Sequence, residues 1–276
     1  MVADRSQRGK LRFRGEQRAW FLHQILTQAF EDIEPGDARD AALLTAHGRM
    51  VGYLEALATQ DSIYCHFEPE LREILPEAIQ RYVFATRVEI EDVTGEFGLV
   101  LLAGEGWREL AEDKVPVPRI HETRSLGIPA GYAWLDRVYV GDVLSDLERS
   151  GGHPATEDEL DAIRIENGIP RWGHEMDSKT IPQEAGIDRW AVHYDKGCYV
   201  GQEAMAKIHF RGKVNRKLVR LETDGLVKQG IDLSMGEKRV GRVTSVSDGK
   251  ALAIVNHLVD TGTELVAGEA KALVIA

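Results

Sequence analysis

An α+β protein that ends in a small all-β unit is what the sequence predicts, on three observations. Segments with helical spacing alternate with short β-rich runs through the first three quarters of the chain. After Val214 only β-rich runs follow: "KLVRLE", "KRVGRVTSVS", "ALAIVNH" and "KALVIA". Asp248-Gly249 and Gly268-Glu269 supply turn residues between some of these runs. Closing that tail into a barrel would remove its exposed strand edges.

The elements follow in chain order. "GEQRAWFLHQIL" puts Ala19, Leu22, Ile25 and Leu26 on one helical face. "DSIYCHFEP" alternates Ile63, Cys65 and Phe67 against Tyr64 and His66, a strand whose apolar side holds Cys65 as a core thiol. "ELREILPEAIQRYV" reads as a helix, in two pieces around Pro76. "TRVEIED" and "GLVLLAG" read as strands, the second buried on both faces. Pro116 and Pro118 mark a linker or irregular crossing, and "RSGGHPAT" is a second break. Thr156 opens "TEDELDAIRIENG" with Glu159 at capping-box spacing, and Asn167-Gly168 stops that helix. No internal repeat interrupts the series.

Composition sets limits. The 276 residues are 43% apolar and 29% charged, with a net charge of −11. Such a balance suits a soluble globular chain and opposes general attraction to nucleic acid or anionic lipid. Two cysteines, Cys65 and Cys198, make no disulfide framework. With no signal-like start and no apolar run of membrane length, the expectation is a reduced, cytoplasmic protein with no membrane partner.

Three features could carry chemistry. Cys198 lies in "DKGCYVGQE" after Lys196 and Gly197, just ahead of a helix expected near Gly201. A thiol beside a lysine and a helix N-terminus gains thiolate character, while Asp195 and Glu203 oppose it. Gly197 and Gly201 allow positive φ or a close ligand approach, and a packing role is the competing reading. Glu166 stands at a helix C-terminus, where a carboxylate is mildly disfavoured. It is either a solvated side chain or a group aimed at paired N–H donors. Lys207, Arg211, Lys213, Arg216, Lys217 and Arg220 form a basic stretch with no acid among them. It is a solvated surface or an anion site. His193 and Cys198 lack a second pair at zinc spacing, so no metal is expected. Walker, Rossmann and Gly-x-Ser-x-Gly patterns are absent.

"KGCYVGQE", preceded by "RIENGIPRWGHEMDSKTIPQEAGI" and followed by "KIHFRGKVNRKLV", resembles the YgfZ family of folate-binding proteins, relatives of the glycine-cleavage T-protein. "FLHQILTQAFEDIEPGDARDAALLTAHGRM" resembles that family's opening helix and strand. The resemblance runs from about residue 11 to the β tail. It implies a three-domain ring of the T-protein type with a C-terminal β-barrel: a split first domain (1–46 and 120–213), a second domain (47–119) and the barrel (214–276). A tetrahydrofolate or one-carbon derivative would sit in the central opening. Glu166 of "R-x-E-x-G" would pair with the pterin. Arg164, Lys196, Gly197, Tyr199, Gln202, Glu203 and Arg211 would complete the folate site, and Cys198 would be a functional thiol at its mouth. Iron–sulfur client enzymes, including tRNA-modifying ones, and tRNA itself are the implied partners. Where T-proteins carry "GG-x-x-DD", this chain has Gly52 and Tyr53, which weighs against aminomethyl transfer. A folate-dependent transferase, a tRNA-binding module and a folate sensor remain alternatives.

Overall fold

The computed structural model describes residues 1–115, 119–212 and 214–275. Pro116, Pro118 and Lys213, singled out in the sequence, lie outside the described residues. Two antiparallel sheets and a barrel organise the chain. Strands β1 (Val2–Asp4), β7 (Phe97–Ala103), β9 (Ala130–Asp136) and β8 (Ile120–Glu122) form a four-stranded sheet in that order. Strands β3 (Ala38–Leu44), β4 (Met50–Ala58), β5 (Ser62–Phe67), β2 (Gly9–Arg14) and β6 (Glu89–Asp92) form a five-stranded one. The chain crosses between the sheets at residues 5–8, from β1 into β2.

Strand alternation decides the layering. One face of the five-stranded sheet presents Leu11, Phe13, Leu54, Ala56, Ile63, Cys65 and Phe67. These pack with Phe21, Leu22 and Ile25 of α1 (Arg18–Ile25) and Leu75 and Ile79 of α2 (Ile74–Gln80). Pro76 is accommodated because it falls in the first turn of α2, where its missing N–H is not needed. The outer face of the four-stranded sheet packs Val100, Leu102 and Leu135 against α3 (Trp107–Glu112) and α4 (Val140–Arg149). β7 is buried along its whole length, as its unbroken apolar run predicts. The sheets' remaining faces meet each other. There Lys10, Glu55 and His66 are buried opposite Tyr132 and Trp134.

Strands β10 (Arg216–Thr223), β11 (Asp232–Met235), β12 (Lys238–Ser247), β13 (Lys250–Asn256), β14 (Glu264–Ala267) and β15 (Ala270–Ile275) close a barrel, with β10 pairing both β13 and β15. Asp248 and Gly249 both take positive φ, 40° and 76°, the two-residue hairpin geometry the dipeptide predicts. β11 and β14 were not legible because four residues are too few to show a period. The expected boundary at 46/47 falls in the turn between β3 and β4, whose pairing runs from Ala38↔Leu57 to Leu44↔Met50. A division there cuts a hairpin, because one apolar face spans both strands.

Helix α5 (Glu157–Glu166) starts at the predicted place. Thr156 accepts from the Glu159 N–H, the Glu159 carboxylate accepts from the Thr156 N–H, and Gly168 ends the turn at φ 72°. Thr156→Ala should cost about 1 kcal/mol in urea denaturation, and an unchanged midpoint would show that the cap holds nothing.

Candidate functional site

The face between the sheets is built around one cation. Arg8 sits in the crossing segment, fully enclosed. Its Nε–H donates to Nδ1 of His66 at 2.9 Å, Nη1 donates to Glu68, and Nη2 reaches Glu55 at 3.4 Å. The guanidinium also lies 5.5 Å from the centre of the Tyr132 ring. Glu68 gains Arg171 at 3.3 Å and Arg5 at 3.9 Å. Burial raises its pKa, but the arginines outweigh this and hold it below the usual carboxylate range.

Two other carboxyls behave in the opposite way. Asp40 and Glu55 are direct cross-strand partners on β3 and β4 and both are buried. Burial, with the other acid opposite, pushes Glu55 up to about 7. Burial pushes Asp40 up to about 6, against Arg124, whose Nη1 stands 3.5 Å away.

Glu55, His66 and His121 bring one ligand atom each to within 4.8 Å of one another. They do not fit a metal. Arg8 is always a donor, so His66 Nδ1 must accept and its proton sits on Nε2. That Nε2–H faces His121 Nε2 at 3.1 Å and leaves no lone pair for a cation. His121 then carries its proton on Nδ1, which is buried without a partner among the described residues. Burial and Arg8 push His121 down to about 3, so both rings are neutral.

The polar layer opens to one side as a cavity bordered by Tyr53, Glu55, Glu68, Arg124, Arg164 and Trp190, with about 50 Å³ of free interior, room for one or two waters. It adjoins a wider depression of about 350 Å³ that shares Arg124, Ile169 and Trp190 and adds Thr123, Ile128 and Pro129. Tyr53 accepts from the Trp190 indole N–H at 3.3 Å, which fixes the ring at the boundary of the two spaces. The depression is walled by the Trp190 indole and by Ile128, Pro129 and Ile169, and the cavity behind it is too small for a planar heterocycle.

Of the residues expected from sequence, Arg164 borders the cavity. It is buried and donates to Asp161 at 2.6 Å, Glu175 at 3.1 Å and the barrel's Ser245 at 2.9 Å. Glu166, two residues on, lies on another face of α5. Its side chain is 58% exposed and paired with Lys250 at 2.5 Å, while Arg220 donates to its carbonyl at 2.8 Å. These two barrel cations relieve the acid's position at a helix C-terminus. Gly168 and Ile169 run from Glu166 into the depression.

The cysteine loop lies elsewhere, against α1 and the end of β3. Lys196 points inward, its ammonium donating to the carbonyls of His23, Leu26 and Gln28 at 2.5, 2.6 and 2.8 Å, beneath the Tyr199 ring. Burial pushes it down to about 7, while three carbonyl acceptors favour the ammonium. Lys196 is thus an anchor, offered to no ligand. Gly201 takes φ 84°, and a Cβ there would meet the Thr45 carbonyl at 2.5 Å, so glycine is required. Gly197 is not so constrained: a Cβ there would meet nothing closer than 3.9 Å. Tyr199 is buried, Gln202 donates to the Lys196 carbonyl at 3.4 Å, and Glu203 pairs with Lys207. Cys198 is exposed, and no residue from 196 to 203 borders the cavity or the depression. The expected convergence of thiol and Arg164 on one opening is therefore not what the structure places together.

The basic stretch does not converge either. Lys207 pairs with Glu203, Arg216 with Glu184, and Lys217 with Asp260, while Arg211 is the last residue of α8 (Gln202–Arg211). Acids distant in sequence neutralise cations that looked unopposed. Sequence reasoning missed Arg8, Glu55 and Glu68, although Lys10/Arg12 and Tyr64/His66/Glu68 alternate with the core residues. Such a polar face reads as solvent-exposed until a second sheet covers it.

No family model matches the chain. An aminomethyltransferase of Rubrobacter xylanophilus is 30% identical over 264 residues, 88% of this chain and 70% of that protein. A chloroplastic protein of Arabidopsis thaliana, named as a candidate transferase, is 26% identical over 277 residues, 91% of this chain. The chain spans 62% of that relative's length. The crystal structure of the glycine cleavage system aminomethyltransferase T from Bartonella henselae superposes with a TM-score of 0.88 at 18% identity, over 99% of this chain and 84% of that one. The T-protein type of fold with a closed C-terminal β-barrel, expected from the sequence, is thereby shown.

Two outcomes follow from this geometry. Arg8→Met takes from Glu68 its closest cation, from Glu55 its nearest one and from His66 its donor, and should cost about 3–5 kcal/mol in denaturant titration; a loss under about 1 kcal/mol would mean that Arg171 and Arg5 suffice for Glu68. In the native protein a thiol reagent should modify Cys198 and spare Cys65, whose thiol burial pushes far up. Equal labelling of both would contradict the burial of Cys65.

Proposed function

The chain belongs to the aminomethyltransferase family, and from that premise we propose that it binds a tetrahydrofolate, or a one-carbon derivative of one, in the depression beside Trp190. The observation that carries this reading is the depression itself: Trp190 and aliphatic walls, Arg124 at one edge, and Ile169, three residues after Glu166, on its wall. Glu166 is held ionised by Lys250, so it has two oxygens free of protons to accept from a pterin's N–H edge, at roughly 1.5–3 kcal/mol for each charge-assisted bond.

The same proposal assigns the chain to the support of iron–sulfur enzymes, including tRNA-modifying ones, in the cytoplasm, as its likeness to the YgfZ proteins implies. The support for this part is Cys198, an exposed thiol on a loop that Lys196 pins from inside. Since no residue of the 196–203 loop borders the depression, the thiol and the folate act apart on this reading. Direct tRNA binding draws little support from a basic stretch of which Lys207, Arg216 and Lys217 pair with acids.

A second reading, folate-dependent aminomethyl transfer, is favoured by the names of the relatives. It is opposed at Gly52 and Tyr53, which stand where T-proteins carry aspartates. The carboxyls of Asp40 and Glu55, on the same pair of strands, are the groups that could compensate.

Calorimetry with tetrahydrofolate separates these points. Glu166→Gln should weaken binding tenfold or more, about 1.4 kcal/mol per decade. Lys250→Ala frees the carboxylate from its competitor and should leave affinity equal or improved. Unchanged affinity in Glu166→Gln would remove Glu166 from the site.

A further inference from the structure

The carboxyls of this one cavity are divided between two states. Glu68 and Asp161 face arginines at 2.6–3.3 Å and are held ionised. Glu55 has no such partner. Arg8 stands 3.4 Å from it and makes its closer bond to Glu68. Asp40 lies directly across the strand pair, and Tyr53, the neutral His66 and His121, and Tyr132 complete the surroundings. Two buried acids opposite each other cannot both ionise cheaply. A pair of acids whose surroundings drive them apart is the arrangement that lets one of them hold a proton at neutral pH.

Glu55 also has an outlet. Its Oε2 lies 2.5 Å from Oγ1 of Thr123, and Thr123 borders the depression as well. The Ser125 N–H donates to the same Oγ1 at 3.1 Å. The hydroxyl has one proton and two possible directions. When Glu55 is ionised, Thr123 must donate inward to the carboxylate. When Glu55 is protonated, the carboxyl O–H donates to Oγ1, and the hydroxyl proton is freed from the carboxylate to turn to an acceptor held in the depression that Thr123 borders.

We infer that Glu55 and Thr123 form a proton-dependent hydrogen-bond switch, which presents a donor to the depression only while Glu55 carries a proton. The ligand chemistry it selects is a heterocycle with an unprotonated ring nitrogen or a carbonyl oxygen at that edge. Asp40 acts through Glu55 as a positioning residue, keeping the proton on it by like-charge repulsion. Arg124, two-thirds exposed and beside Asp40, favours the ionised Asp40 that this repulsion requires.

This inference rests on the folate reading for its ligand, and tetrahydrofolate is the probe. The bound state fixes Glu55 protonated, so binding should take up a fraction of a proton that grows as pH rises from 6 to 8. Affinity should fall as pH rises through the neutral range. Calorimetry in buffers of different ionisation enthalpy reads the proton number. Thr123→Val and Glu55→Gln should each abolish the uptake. Equal uptake in Thr123→Val, or none in the wild type while tetrahydrofolate binds, would overturn the switch and leave the folate reading intact. Absence of tetrahydrofolate binding would sink the folate reading instead. The switch is then judged on the free protein, by carbon NMR of side-chain carboxyls. A Glu55 carboxyl titrating near neutrality, and moving down by about one unit or more in Asp40→Asn, supports it. A Glu55 carboxyl that titrates in the ordinary carboxylate range overturns it.

Discussion

A guanidinium buried between two sheets, Arg8, sets the terms for the middle of this molecule. Bringing one cation out of water costs several kcal/mol, so everything around it must answer that charge. Glu68 does so most closely, His66 turns an unprotonated nitrogen to it, and Tyr132 offers its ring face. The residue sits where the chain leaves the four-stranded sheet and enters the five-stranded one, so a single side chain ties both sheets to their crossing segment. The tautomer of His66, and through it that of His121, follows from Arg8 being unable to accept.

The same charge sorts the acids of the cavity. Glu68 is claimed by Arg8, Arg5 and Arg171, and Asp161 by Arg164 and Arg171. Those pairings take the closest contacts of the nearby cations and leave Glu55 and Asp40, with only longer contacts to Arg8 and Arg124, facing each other on adjacent strands. Polar groups that stabilise one part of the layer thereby create a protonatable pair in another, next to the depression walled by Trp190, Ile128, Pro129 and Ile169. The barrel contributes at the other side, where Ser245, Arg220 and Lys250 hold helix α5 by Arg164 and Glu166.

Much of this was legible in the residues. Capping chemistry at Thr156 and Glu159 is local, so spacing alone located the start of α5, and Asp248-Gly249 fixed a hairpin for the same reason. Cys65 was recognisably a core thiol because its neighbours alternate. What depends on distant partners was not legible. Lys196 looked like a ligand residue beside the cysteine, yet its ammonium is spent on three carbonyls at the end of α1. The cations after residue 207 looked unopposed because Glu184 and Asp260 are far away in sequence. Lys10, Glu55 and His66 could not be recognised as buried, because nothing in a single strand reveals that a second sheet will cover it.

The central claim is that the depression between Trp190, Ile169 and Arg124 receives a tetrahydrofolate. A crystal structure of the protein grown with saturating tetrahydrofolate tests it most directly. The account predicts pteridine density against Trp190, with its N–H edge toward Glu166 and an acceptor atom near Thr123. Density at any other surface, or a depression filled only by solvent at saturating ligand, would contradict it.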